Sequence, residues 1–119
     1  LKRKRRRAYF RGRTAEFLAA SVLRMKGYHI VVRGYRKPVG EIDIIARRNN
    51  LLVAVEVKAR PRIAEAAEAV SQKQRRRIAR ALQAFVMEQP RYDNFNLRFD
   101  VLLVTSLWRW PRHIEGAWE

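Results

Sequence analysis

Two carboxylates and an amine carry the chemistry this sequence offers. Asp43 closes the run Gly40-Glu41-Ile42-Asp43, and Glu56 and Lys58 frame Glu56-Val57-Lys58. Each run lies in an Ile- and Val-rich stretch that reads as a β-strand, Gly40 to Ala46 and Leu51 to Lys58. Arg47-Arg48-Asn49-Asn50 is the polar turn between them. Side chains alternate across a strand, so Glu41, Asp43 and Ile45 share one face, as do Leu52, Ala54, Glu56 and Lys58. With Asn49-Asn50 at the tip, Arg48 pairs with Leu51. Counting back along both strands then sets Asp43 opposite Glu56 and Glu41 opposite Lys58.

Like charges opposed on a ladder destabilise it. A shared proton, a basic neighbour or a metal ion must compensate, and Lys58 covers only part of the charge. Two carboxylates with an open side suit Mg²⁺, which takes one or two such groups together with waters and substrate phosphate. The competing reading is a solvated hairpin face whose charges simply meet water. The flanks Ile42, Ile44, Val53, Val55 and Val57 argue instead for a buried central hairpin, where idle acids are expensive.

The elements that must hold this hairpin are legible on either side. Ala15, Leu18, Ala19, Val22 and Met25 recur at helical spacing in a helix expected from about Ala8 to Lys26, with Gly27 as its stop. Glu16 borders that face, in line with Ala19, Ala20 and Leu23, and periodicity alone favours an exposed role for it. Arg13 lies one turn earlier, placed to hold a phosphate or to neutralise Glu16. Tyr28 to Arg33 reads as a first strand and Gly34 to Gly40 as a loop, where Tyr35 and Arg36 would meet solvent or a nucleic-acid backbone. Ala59-Arg60-Pro61 ends the strand after Lys58. Ile63 to Val70 has the composition of a helix.

Ser71-Gln72-Lys73-Gln74 forms a capping box that opens a helix to about Gln89, with Pro90 beyond it. Ile78, Ala81, Leu82, Phe85 and Val86 make its buried stripe, and Lys73, Arg76, Arg77 and Arg80 a basic ridge. Asn96 to Val104 is a fourth strand, made parallel to the third by a right-handed crossover. On it Asp100 shares a face with Arg98, as a structural pair. Trp108, Trp110 and Trp118 are expected to close the core or an interface, with stacking on bases the weaker reading.

Gly40-Glu41-Ile42-Asp43 followed by Glu56-Val57-Lys58 resembles the PD-(D/E)xK nuclease signature. With Arg11-Gly12-Arg13-Thr14-Ala15-Glu16, Lys26-Gly27-Tyr28 and Arg98-Phe99-Asp100-Val101, the chain resembles the YraN-like bacterial family from about Gly12 to Trp118. That family is similar in fold to archaeal Holliday-junction resolvases. The resemblance implies that Glu16 completes a metal site with Asp43 and Glu56. It also implies that the helix after the E-x-K strand donates a polar residue, with Lys73 at the matching position and Gln72 beside it. Finally, it implies a loop or short turn, not a helix, over Ile63 to Val70.

Composition sets the partner class. The chain of 119 residues is expected to form one domain, 1–119, with a basic arm at about 1–8. Its 27 basic and 11 acidic residues leave a net charge of +16, which calls for a polyanionic partner, nucleic acid being the commonest. The run Lys2-Arg3-Lys4-Arg5-Arg6-Arg7 repels itself and reads as a mobile arm, for phosphate contact or for solubility. The absence of cysteine excludes disulfides, thiolate zinc sites and a Cys nucleophile. His29 and His113 are too few for a multi-His metal site. No apolar run has the length of a membrane span and no signal-peptide core is evident, so the cytoplasm is the expected compartment.

The fold expected is an α/β restriction-endonuclease-like domain, a mixed sheet flanked by helices in the order α-β-β-β-α-β, with a last short strand or helix. The function expected is that of a Mg²⁺-dependent (or Mn²⁺-dependent) endodeoxyribonuclease acting on duplex or branched DNA. Asp43, Glu56 and Glu16 would hold the metal, and Lys58 and Lys73 would join them in catalysis. Glu41 and Gln72 stand behind them. Arg11, Arg13, Arg36, Arg60, Lys73, Arg76 and Arg77 would contact the nucleic acid. A homodimer or a protein partner in DNA repair or recombination fits by analogy. A silent nucleic-acid-binding or adaptor protein is the alternative.

Overall fold

The computed structural model describes residues 2–60, 70–106 and 108–118, with side chains from Arg13 onward. In chain order these form α1 (Lys2–Met25), β1 (His29–Lys37), β2 (Gly40–Arg48), β3 (Leu51–Ala59), α2 (Gln72–Glu88), a 3-10 turn (Pro90–Tyr92), β4 (Asn96–Val104) and β5 (Arg112–Trp118). The sheet has five strands in the order β1-β2-β3-β4-β5. β3 and β4 run parallel, joined by the crossover through α2, and the other neighbours are antiparallel. This is the mixed α/β architecture that the sequence implies. Ile63 to Val70 falls largely in 61–69, outside the described residues.

The central hairpin has the expected register, from Arg48↔Leu51 to Ile44↔Val55. Asn49 takes φ 55 at its tip, a left-handed conformation that Asn tolerates better than most residues. Alternation then divides the core. Leu52 and Ala54 face α2 with Ile78, Leu82 and Phe85. Val53 and Val55 face α1 with Ala19, Ala20 and Leu23. The two helices therefore cover opposite faces of one sheet.

Several boundaries differ from those expected. β1 continues to Lys37, so β1 and β2 form a tight hairpin where a loop over Gly34 to Gly40 was expected. Helix α1 begins at Lys2, so the basic run lies in its first turns. Its buried face is Ala15, Ala19, Ala20, Val22 and Leu23, whereas Met25 is 70% exposed. The Tyr28 N–H returns to the Leu23 carbonyl at 2.9 Å. That turn, with Gly27 at φ 90, carries the chain onto the sheet and leaves Met25 outside. Of the three tryptophans, Trp118 stacks on Phe99 with ring centroids 5.3 Å apart. Trp108 and Trp110 are 95% and 66% exposed and lie outside the core. Among the described residues no helix is long and apolar enough to cross a membrane.

α2 lies against the start of β2, and Gly40 makes that approach feasible. A Cβ at Gly40 would sit 2.1 Å from the Arg77 carbonyl oxygen and 2.7 Å from its carbon. Those are backbone atoms of a packed helix and cannot swing aside. Gly40→Ala should therefore destabilise the fold by about 1–3 kcal/mol, the usual cost of overpacking, measured by urea unfolding. An unchanged midpoint would mean that α2 shifts freely against the hairpin.

Candidate active site

Asp43 and Glu56 come together where the β2–β3 ladder ends. Beyond Ile44↔Val55 the Asp43 carboxylate replaces the backbone ladder, its Oδ2 accepting the Val57 N–H at 2.9 Å. Gly34 of β1, between the pairs Arg33↔Ile44 and Tyr35↔Ile42, lies opposite Asp43 and adds no side chain there. Glu56 is buried, 7% exposed. Its Oε1 accepts the Gln74 amide at 2.8 Å and meets Lys58 Nζ at 3.3 Å. Lys58 is two residues along the same strand, so the pleat sets both side chains on one face.

The electrostatics follow from burial. Glu56 is pushed up from 4.5 to about 7, first by desolvation and then by the charge of Asp43; Lys58 opposes both. Asp43 is also raised, again by burial first, with the Val57 N–H and Lys58 pulling it back. Asp43 raises Glu56, whereas Glu56 lowers Asp43, so the proton is held on Glu56. Near neutrality the pair therefore retains proton where two isolated carboxylates would be bare.

Asp43 and Glu56 line a cleft of about 230 Å³ with Glu41, Gln74, Arg77 and Ile78. A liquid water occupies ~30 Å³, so the cleft has room for a hydrated cation. Among the described residues no group of three or more His, Cys, Asp or Glu side chains has the arrangement of a metal cage. The donor set is instead two adjacent hard carboxyls, which carry more negative charge than Lys58 neutralises once the retained proton leaves. That fits Mg²⁺ or Mn²⁺, which leave several positions to water and phosphate, and does not fit a structural all-protein site.

The other expected site residues divide sharply. Glu16 is half-buried on α1, on the line of Ala19, Ala20 and Leu23 that packs on the sheet. Its carboxyl is raised by burial and then by Asp43, and lowered by Arg33, Arg36 and Arg13. It thus shares the electrostatic field of Asp43 without forming a cluster of three acids. Glu41 is exposed and pairs with Arg36 at 3.4 Å. The expected Glu41–Lys58 pair does not form, because Lys58 turns to Glu56 and β1 brings Arg36 opposite Glu41.

Lys73 and Gln72 are exposed and do not line the cleft. The residue of α2 that reaches Glu56 is Gln74. Its backbone N–H caps onto Ser71 Oγ at 3.1 Å, as a capping box requires, while its side chain turns away to the acid. The sequence signal for Gln74 was present but was absorbed by that local role. Arg36, Arg76 and Arg77 are exposed, and so is Arg60, whose guanidinium bonds to the Ala59 carbonyl at 2.9 Å. The side chain of Arg11 lies outside the described residues.

Asp100 has the structural role expected of it, in a larger assembly. It is fully buried and accepts two bonds of 2.8 Å from Arg98, one of 2.9 Å from the Gly116 N–H and a 2.6 Å contact with His113 Nε2. Burial would raise its pKa; the bonds from His113, Arg98 and Gly116 outweigh that and hold it below the usual carboxylate range. On β4, Asp100 pairs with Val55 of β3, which places it on the α1 face, away from Glu56. It ties β5 to β4 and takes no part in the cleft.

A model described as Uncharacterised protein family UPF0102 matches residues 15–104. The chain belongs to the UPF0102 family. That span takes in Glu16, Asp43, Glu56, Lys58 and Gln74. A UPF0102 protein of Chelativorans sp. (strain BNC1) is 47% identical over 114 residues, covering 96% of this chain and 91% of the relative. A UPF0102 protein of Mesorhizobium japonicum is 46% identical over 113 residues, covering 95% and 90%. One of Nitrobacter winogradskyi is 48% identical over 112 residues, covering 94% of each. Similarity therefore runs along nearly the whole length of both chains.

The acid pair of this UPF0102 chain makes stability depend on pH. Glu56 has a higher pKa folded than unfolded, so folding takes up protons. Its contribution is fully present below about 4.5 and is lost as pH rises through about 7. Glu56→Gln removes the titrating charge at nearly constant shape. It should leave stability near pH 4.5 little changed and raise it at pH 8 by roughly 1–2 kcal/mol, measured by denaturant unfolding without divalent cations. Equal effects at both pH values would mean that Glu56 is not held protonated by burial.

Proposed function

We propose that the chain is a metal-dependent endodeoxyribonuclease of the resolvase-like type, acting in the bacterial cytoplasm. The observation that carries this reading is an acid pair, Glu56 buried and Asp43 half-buried, flanked by a lysine and open to a cleft whose rim is the basic start of α2. A bound divalent cation would supply Lewis acidity toward the phosphate and a water nucleophile at neutral pH. Asp43 and Glu56 would hold it, with Glu16 adding long-range negative charge.

The chain's own groups have separable tasks. The Val57 N–H fixes the Asp43 carboxylate, and the Gln74 amide fixes that of Glu56, so neither rotates when a substrate arrives. Lys58, next to Glu56, is placed to donate toward charge that builds on the phosphate in the transition state. Arg77 lines the cleft, and Arg76 and Lys73 continue the basic rim for the flanking phosphates. The net charge of +16 supports a polyanionic substrate. A branched substrate with two equivalent strands would suit a homodimer, by analogy alone.

Cleavage assays on duplex, single-strand, flap and four-way-junction DNA, with Mg²⁺ and with Mn²⁺, test this. Asp43→Asn and Glu56→Gln should each abolish metal-dependent cleavage and leave DNA binding intact or tighter. Lys58→Ala should keep metal binding and lose about 10²–10³ in rate, the usual loss for one transition-state donor. A wild type inert on every substrate with both metals would remove the nuclease reading and favour a silent nucleic-acid-binding or adaptor protein.

A further inference from the structure

The β4–β5 connection carries two large apolar side chains that the fold does not use. Trp108 is 95% exposed and Trp110 66%. Arg109 stands between them, exposed, and Arg112 follows Pro111 at the start of β5. Leaving two indoles in water forfeits a large burial gain, since aromatic side chains bury 150–250 Å² each when packed. The segment is anchored at both ends: the Trp108 N–H bonds to Ser106 Oγ at 3.2 Å, and Pro111 is buried.

Its position follows from the register. Lys58 of β3 pairs with Leu103 of β4, and Leu103 with Arg112 of β5. Paired residues share a sheet face, so Arg112 is on the face of Glu56 and Lys58, two strands across. Strands lie about 4.8 Å apart, which puts the Arg112 backbone roughly 10 Å from that of Lys58. The Arg60 N–H bonds to the Val104 carbonyl at 3.1 Å. The Trp segment therefore leaves the sheet at the end where Lys58 and Arg60 lie.

We propose that Trp108 and Trp110 are a stacking platform for unpaired bases of a nucleic-acid strand whose backbone runs toward the Asp43–Glu56 cleft. Arg60, Arg109 and Arg112 supply the complementary charge. Alternating aromatic and cationic groups are what a single strand needs: π-faces for bases and guanidinium groups for phosphates. In a closed duplex the base faces are covered by their neighbours, so the platform selects substrates with an unpaired segment. This deepens the nuclease reading, because it names the substrate class of that site.

The test uses the full chain in EDTA, so that binding is read without cleavage. The probes are a fluorescein-labelled oligo-dT strand and a blunt duplex of equal length. The double variant Trp108→Ala/Trp110→Ala should lose about tenfold or more in affinity for oligo-dT, given ~1–3 kcal/mol per stacked base. Its duplex affinity should change by less than about twofold, and Trp108→Phe/Trp110→Phe should restore most of the loss. Both side chains are exposed, so far-UV circular dichroism should be unchanged. Equal loss on both probes, or no loss on either, would overturn the proposal. So would a double variant that keeps oligo-dT binding but loses binding to phosphatidylglycerol vesicles or loses self-association. Selective loss on oligo-dT with an inert wild type would sink the nuclease reading and leave the platform standing. Cleavage with unchanged oligo-dT binding would do the reverse.

Discussion

Asp43 and Glu56 oppose one another at the end of the β2–β3 ladder, in a sheet otherwise packed with Ile, Val and Leu. Each is partly desolvated, and the charge of Asp43 makes Glu56 harder still to ionise. A fold that buried two acids for stability alone would do better with hydrocarbon. The surrounding structure can be read as what makes this pair tolerable: the Val57 N–H on one carboxyl, the Gln74 amide on the other, and Lys58 at 3.3 Å from Glu56. Remaining repulsion is relieved by a proton when no cation is at hand. The affinity for protons and the proposed affinity for divalent cations therefore have one source.

That pair also explains why the two helices lie where they do. α2 must approach β2 closely enough for Gln74 to reach Glu56, and Gly40 provides the clearance against the Arg77 backbone. α1 covers the opposite face, with Glu16 adding its charge to the field at Asp43. The Asp100 assembly with Arg98, His113 and Gly116 fastens β5 to β4 on the α1 face. It holds the origin of the Trp108–Trp110 segment in register with Lys58.

The hairpin was legible because period-two alternation and a two-residue Asn tip determine register without any tertiary knowledge. The capping box at Ser71 and the parallel return of β4 were legible for similarly local or topological reasons. What escaped were properties decided by packing. Gln74 had a sufficient local explanation, so its reach to Glu56 was hidden. Lys58 could pair across the hairpin or along its own strand, and only the position of β1, which gives Glu41 a partner in Arg36, decides between them. The length of β1 is hidden in the sequence because Gly34, Pro38 and Gly40 read as loop residues. In fact Gly34, at φ 68, lies within the strand opposite Asp43. Aromatic content at Trp108 and Trp110 suggested core, although sequence alone does not tell which side of a connection faces solvent.

If Asp43 and Glu56 hold one divalent cation, that cation competes with a proton. Isothermal titration of the wild type with Mn²⁺ at pH 7, repeated in buffers of different ionisation enthalpy, measures binding and proton release together. One site should load and release a substantial fraction of a proton, because burial pushes Glu56 up to about 7. Asp43→Asn should abolish binding, and Glu56→Gln should weaken it and remove the proton release. Mn²⁺ binding that survives Asp43→Asn unchanged, or that releases no proton, would mean that Asp43 and Glu56 do not form a shared cation site.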